Sequence, residues 1–164
     1  MATRALIGIY EAGKGSSWRA TYHHWDGYPT GLGRALWRIY HDIYPGLLSA
    51  MMEFIVDAHP EGWSTLAGRD FRKRPTWFDG SVEMMLKEQG MAWYELPPLA
   101  YKYRGDDPMP ADETSNFGQE WAYVFDLQSN TMTILERVSW HNLSYAEKAT
   151  IPLNGMEPDW DSLK

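Results

Sequence analysis

Residues 120–138 constrain the fold more than any other stretch. Trp121, Tyr123, Phe125 and Leu127 alternate with Ala122, Val124 and Asp126, the turn Gln128-Ser129-Asn130 follows, and Met132–Val138 returns. Alternation of period two on both sides of a short polar turn specifies a β-hairpin. A second hairpin is expected near the start, where residues 4–12 and 17–25 flank the turn Gly13-Lys14-Gly15-Ser16. In its second strand Trp18, Ala20, Tyr22 and His24 share one face, and Arg19, Thr21, His23 and Trp25 share the other.

Helical patterns lie between the two hairpins. From about residue 31, Leu32, Leu36, Ile39, Tyr40 and Ile43 form an apolar stripe, with Arg34 and Arg38 off it and one turn apart, until Pro45 ends the helix. A second helix is expected over 46–58, stopped by His59-Pro60-Glu61-Gly62. A third is expected over 79–89, with Asp79 as its N-cap and Met84, Met85 and Leu86 facing inward. Residues 91–103, with Pro97-Pro98, read as extended. Residues 105–117 read as a polar loop, and an acidic tail begins near residue 152, anchored where Trp160 finds a pocket. No repeat or linker interrupts the 164 residues, a length that suits one domain. The expectation is a single α+β domain, an antiparallel sheet of four or more strands with about three helices packed on it.

Charge limits the function classes. Residues 1–52 carry five basic and three acidic groups, residues 53–104 seven and eight, and residues 105–164 three and eleven. A net charge of −7 disfavours general nucleic-acid binding, which needs a broad basic surface to displace counterions. Arg69, Arg72, Lys73 and Arg74 form one local exception, readable as a solvated charged turn or as an anion or partner contact. A small anion remains compatible, because two or three well-aimed cations suffice for it. The chain has no cysteine, which removes disulfides, thiolate zinc sites and cysteine nucleophiles. No apolar run is long enough to span a bilayer or serve as a signal peptide, so a cytoplasmic location without membrane association is expected.

The candidate site is Tyr22-His23-His24-Trp25-Asp26-Gly27-Tyr28-Pro29-Thr30-Gly31-Leu32-Gly33-Arg34, where a strand ends, the backbone turns and a helix begins. Free amides at a helix start favour an anion, and Arg34 and Arg38 add charge-assisted donors. Trp25 and Tyr28 suit stacking on a flat ring, and His24 and Asp26 stand beside them. The same segment reads equally as architecture, with aromatics plugged into a core and glycines allowing close helix packing. It is not a phosphate loop, because no lysine follows its second glycine. Acid–base catalysis by His24 with Asp26 is a lesser reading. Metal binding is weaker still, because the five histidines lack helical pair spacing. No serine lies in a G-x-S-x-G context, and no cofactor is called for.

Nine Trp and ten Tyr stand out in the composition. Most are expected to be core or interface anchors. With Arg4, Arg19, Arg34 and Arg38 in the first quarter, they suit a stacking pocket or a homo-oligomer interface.

Thr3-Arg4-Ala5-Leu6-Ile7, followed by His24-Trp25-Asp26-Gly27-Tyr28-Pro29 ahead of a helix, resembles a loose group of small phage and bacterial proteins that open on T-R-(A/S)-x-I and carry H-W-D-G-Y. The specific match covers residues 3–36, and the strand Trp121–Asp126 is similar to their usual ending. The resemblance brings no established catalytic residue. It implies a setting, a phage or mobile-element protein acting in the host bacterial cytoplasm. Small phage proteins without catalytic motifs often inhibit host defence, either by sequestering nucleotide signals or by binding a defence protein.

The leading expectation is therefore a non-enzymatic protein that holds a small anionic, nucleotide-like ligand through His24, Trp25, Asp26, Tyr28, Arg34 and Arg38. One alternative is an inhibitor that docks on a host defence protein through its acidic C-terminal third. Another is a small nucleotide hydrolase using His24 and Asp26.

Overall fold

The computed structural model describes residues 2–78, 86, 90–101 and 110–164. The first hairpin forms as its alternation requires. β1 (Ala5–Tyr10) pairs antiparallel with β2 (Trp18–His23), from Ala5 opposite His23 to Tyr10 opposite Trp18. One turn of π-type winding, Pro29–Gly33, leads directly into α1 (Arg34–Asp42). α2 (Leu48–Met52) likewise runs on into a π-type turn, Glu53–Asp57. Three short strands follow, β3 (Trp63–Thr65), β4 (Thr76–Phe78) and β5 (Leu99–Tyr101), with a 3-10 turn at Trp93–Glu95 ahead of β5. β6 (Ala111–Asp112) lies against β2. The second hairpin is β7 (Trp121–Asp126) with β8 (Thr131–Arg137), and β9 (Tyr145–Pro152) extends it.

The strands join one sheet in the order β4-β5-β3-β2-β1-β7-β8-β9, with β6 paired to β2 off this path. The protein is thus α+β, but the sheet is mixed rather than antiparallel. β1 runs parallel to β7, β2 to β3 and β4 to β5. Parallel neighbours need a long crossover between them. Between β1 and β7 that crossover contains β2 to β6 and both helices, so the two hairpins become the centre of one sheet. Two α-helices, rather than three, stand among the described residues. Of the helix expected over 79–89, only Leu86 is described, and it is helical; the rest lies outside the described residues, as do 102–103 of the stretch expected to be extended and 105–109 of the expected loop. Ala111 and Asp112 of that loop are strand.

β7 shows why the centre holds. Every residue of it is buried. Tyr123 and Phe125 face the helices and join Ile7, Ile9, Leu36, Met51, Met52 and Trp63 in the main core. Ala122 and Val124 face the other way, with Leu6, Trp18 and Ala20, beneath Phe117 and Tyr145. The small residues suit this thinner second layer. Trp160 occupies a pocket on the helix side, near Trp37, with its indole nitrogen donating to Glu157 at 2.8 Å. The outer strand β9 carries an irregularity at Lys148: Ile134 opposes Ala149, and Leu135 opposes Glu147. A bulge bearing a lysine protects a sheet edge from pairing with further strands.

Candidate functional site

After β2 the backbone turns sharply under the sheet. Asp26 takes a left-handed conformation (φ 58°), which an aspartate tolerates better than most residues. The Gly27 amide then donates to the Thr3 carbonyl at 2.8 Å, and the Tyr123 hydroxyl donates to the Gly27 carbonyl at 2.6 Å. A Cβ at Gly27 would sit 2.7 Å from the Thr3 oxygen and 2.8 Å from the Ala5 Cβ. Gly33 is similarly crowded by the rings of Trp160 and Tyr123. The glycines of this segment therefore serve close packing. Gly27→Ala should destabilise the fold by about 2 kcal/mol through overpacking, measurable by urea denaturation.

The segment also uses up backbone donors expected to meet an anion. Gly31 donates to the Tyr28 carbonyl at 3.0 Å, and Leu32 to the Asp26 carbonyl at 2.9 Å. The π-type turn satisfies amides that an ordinary helix start leaves open. Recognition of an anion then falls to side chains.

The two histidines sit in different surroundings, as strand alternation requires. His23 is fully buried, and its Nε2 accepts the Leu66 amide at 2.9 Å, so Nδ1 carries the proton. Burial disfavours the imidazolium, and the nearby His24 adds to this, pushing the His23 pKa down to about 3. His24 Nδ1 is hydrogen-bonded to the Tyr22 hydroxyl at 2.6 Å, and its ring packs against Trp25 and Tyr101. Asp26 Oδ1 accepts from the Tyr28 hydroxyl at 3.0 Å. Trp25 and Tyr28 are each more than a third exposed.

A cleft of about 880 Å³ opens between α1 and the segment 66–73. Thr30, Gly31, Arg34, Arg38 and Asp42 line one wall; Arg69, Asp70, Arg72 and Lys73 line the other; Tyr94 and Glu95 also contribute. Its volume lies within the range of small-molecule sites. Two basic groups some thirty residues apart in sequence, Arg34/Arg38 and 69–73, converge here. Arg74 is not part of the lining, and neither are His24, Trp25, Asp26 and Tyr28.

The cations differ in how they are held. Arg72 pairs with Asp70 at 2.9 Å, and this hydrogen bonding lowers the Asp70 pKa. Lys73 donates to the Glu95 carbonyl. Arg34 and Arg38 make no side-chain hydrogen bond or ion pair among the described residues. Arg69 is the most unusual. Its guanidinium carbon lies 3.2 Å from the centre of the Trp93 ring, and Nη1 donates to the Trp93 carbonyl at 2.8 Å. Its Nε and Nη2 are buried and lack an acceptor among the described residues. Burial lowers the Arg69 pKa to about 10, opposed by the charge of Asp26, so the group stays cationic at neutral pH. Asp26 thus acts on the cleft electrostatically from outside its lining.

Tyr94 is not among the residues the sequence singles out, and Arg69 is singled out only within the basic run 69–74, readable as a charged turn or as an anion contact. Arg69 carried a signal, as part of the basic run; Tyr94 carried none beyond being aromatic. Among the described residues no group of three or more His, Asp or Glu side chains is arranged to hold a metal ion. No helix among them is long and apolar enough to cross a membrane. Comparison with protein-family models, curated proteins and solved structures finds no match for the chain.

Proposed function

We propose that the protein binds a small anionic, nucleotide-like ligand in this cleft and releases it unchanged. The observation that carries the reading is the set of cations this cleft collects: Arg34 and Arg38 on α1, without an ion pair among the described residues, and Arg69 on the facing wall, held against the Trp93 ring. Guanidinium groups without an ion pair offer charge-assisted hydrogen bonds to an anion that enters between them. Tyr94, 70 % exposed, offers a flat face for a base. The described lining supplies cations, carboxylates and a phenol but no histidine, a set better suited to holding a phosphate than to cleaving one. The resemblance to small phage proteins supports a role in sequestering a host signal in the bacterial cytoplasm.

The acidic docking surface draws less support. Several carboxylates of the C-terminal third are engaged internally: Glu147 with Lys14, Glu136 with Lys148, Glu113 with the Trp18 amide, and Asp126 with the Lys14 amide. That leaves less unpaired negative charge than the count of acidic residues suggests.

The test is a thermal-shift screen against mononucleotides, dinucleotides and cyclic nucleotides, with mass analysis of the recovered ligand. A ligand at a hundred times its Kd should stabilise the fold by about 2.7 kcal/mol, a shift of several degrees. Arg34→Ala should weaken binding by about tenfold with an unchanged Tm of the free protein, since the Arg34 side chain makes no hydrogen bond or ion pair among the described residues. A screen without any shift overturns the reading, and an altered ligand replaces binding with catalysis.

A further inference from the structure

We infer that the ligand presents a terminal phosphate monoester to the cleft rather than an internal phosphodiester; this rests on the binding reading above and narrows it. Among the described residues the lining carries five cations and three carboxylates, a surplus of two positive charges in a chain whose net charge is −7. A terminal phosphate carries about −1.5 to −2 at neutral pH and three strong acceptor oxygens. It matches that surplus. A diester carries a single negative charge on its two non-bridging oxygens and leaves one cation uncompensated.

Geometry points the same way. Arg34 and Arg38 are successive turns of one helix face, with Cβ atoms about 5–6 Å apart. Arg69 comes from the facing wall. Donors arriving from two walls suit a group with three free oxygens at the end of a molecule. A diester is flanked on both sides by its substituents, which would compete for the space these side chains occupy. The acidic remainder of the chain also repels a polyanion continuing beyond the cleft. Asp42 on α1, with Asp70 and Glu95 opposite, are the carboxylates of the described lining and set its surplus at two rather than five; Asp26, outside the lining, faces Arg69 as well and keeps the surplus from exceeding the charge of one terminal phosphate.

The experiment compares, for each common nucleoside, the 5′-monophosphate with its 5′-phosphate methyl ester and its 3′,5′-cyclic form, by calorimetry on the full chain. The monophosphate of the preferred base should bind at least about tenfold more tightly than either diester. In Arg34→Gln/Arg38→Gln that gap should close to within about threefold, with Tm recorded to confirm folding. Diesters that bind as well as the monophosphate overturn this inference and leave the binding reading standing. A gap that persists in the double variant overturns it too, because the discrimination then lies elsewhere. If none of the three forms binds for any nucleoside, while dinucleotides still shift the Tm, the monoester is excluded. If nothing binds at all, the binding reading fails with it.

Discussion

Between pH 6.5 and 4.5 the fold should lose about 2 kcal/mol through His23 alone. The sign follows from where each state binds the proton. In the unfolded chain the imidazole protonates near its ordinary pKa of about 6.5. In the folded protein it stays neutral down to about pH 3. Throughout that window the unfolded state binds more protons, so stability falls as pH falls, by about 0.7 kcal/mol per unit at pH 6.5 and approaching about 1.4 per unit below pH 5.5. A domain of this kind has about 5–15 kcal/mol in total, so the loss is a large fraction. Asp70, Asp112, Asp126 and Glu147, whose pKa values are lowered in the fold, act in the same direction, but only as pH falls through the carboxylate range near 4. Urea denaturation at half-unit steps from pH 7.5 to 4.5 separates the two contributions. His23→Gln, whose amide oxygen can still accept the Leu66 N–H, should flatten the upper part of the profile. Equal slopes in the two proteins between pH 6.5 and 5 would show that His23 is not the group responsible.

His23 also shows what a sequence does and does not disclose about such a chain. Its face was legible: alternation places it opposite His24, and in the structure one ring meets the Leu66 amide while the other meets Tyr22. Its burial was not, because β3, which brings Leu66 to it, is three residues long and has no periodicity to recognise. The same limit governs the sheet. Both hairpins are local and follow from alternation over a few residues. The parallel pairing of Ala5 with Trp121 joins positions more than a hundred residues apart, and no local pattern encodes it. The all-buried character of β7 was its trace in the sequence, large side chains toward the helices and Ala122 and Val124 toward the thinner layer.

The site divides along similar lines. Arg34 and Arg38 stood out because they leave an otherwise apolar helix stripe. Arg69 stood out only as one charge in a run of four, since what distinguishes it, the Trp93 ring against its guanidinium, is a tertiary contact. Gly27 reads in the sequence as part of a turn. It is fixed instead by the close approach of Thr3 and Ala5 from β1 and its lead-in. In the H-W-D-G-Y segment, the glycine and the Asp26 backbone shape the connection, while the side chains of Trp25 and Tyr28 remain on the surface.

Arg69→Met should weaken ligand binding by about a hundredfold while leaving the free protein about as stable as before. The substitution removes one hydrogen bond to the Trp93 carbonyl and a cation–π contact, together worth roughly 1–3 kcal/mol. It also removes a half-buried charge with two unsatisfied donors, whose burial costs a similar amount. A methionine keeps an apolar body against the indole. The two sides nearly cancel, so the Tm should move by no more than a few degrees. Binding has no such compensation. A charge-assisted hydrogen bond is worth about 1.5–3 kcal/mol, and loss of a forked contact should weaken affinity by about a hundredfold. Arg69→Lys should fall between, because it keeps the charge but not the planar fork. An arginine whose role is structural gives the opposite pattern, a loss of about 3–5 kcal/mol in stability as when one member of a buried pair is removed. Denaturation and calorimetry on the same variant therefore distinguish the two roles. An Arg69→Met protein that unfolds easily yet binds normally would return this arginine to the architecture and take the cleft's main anchor away.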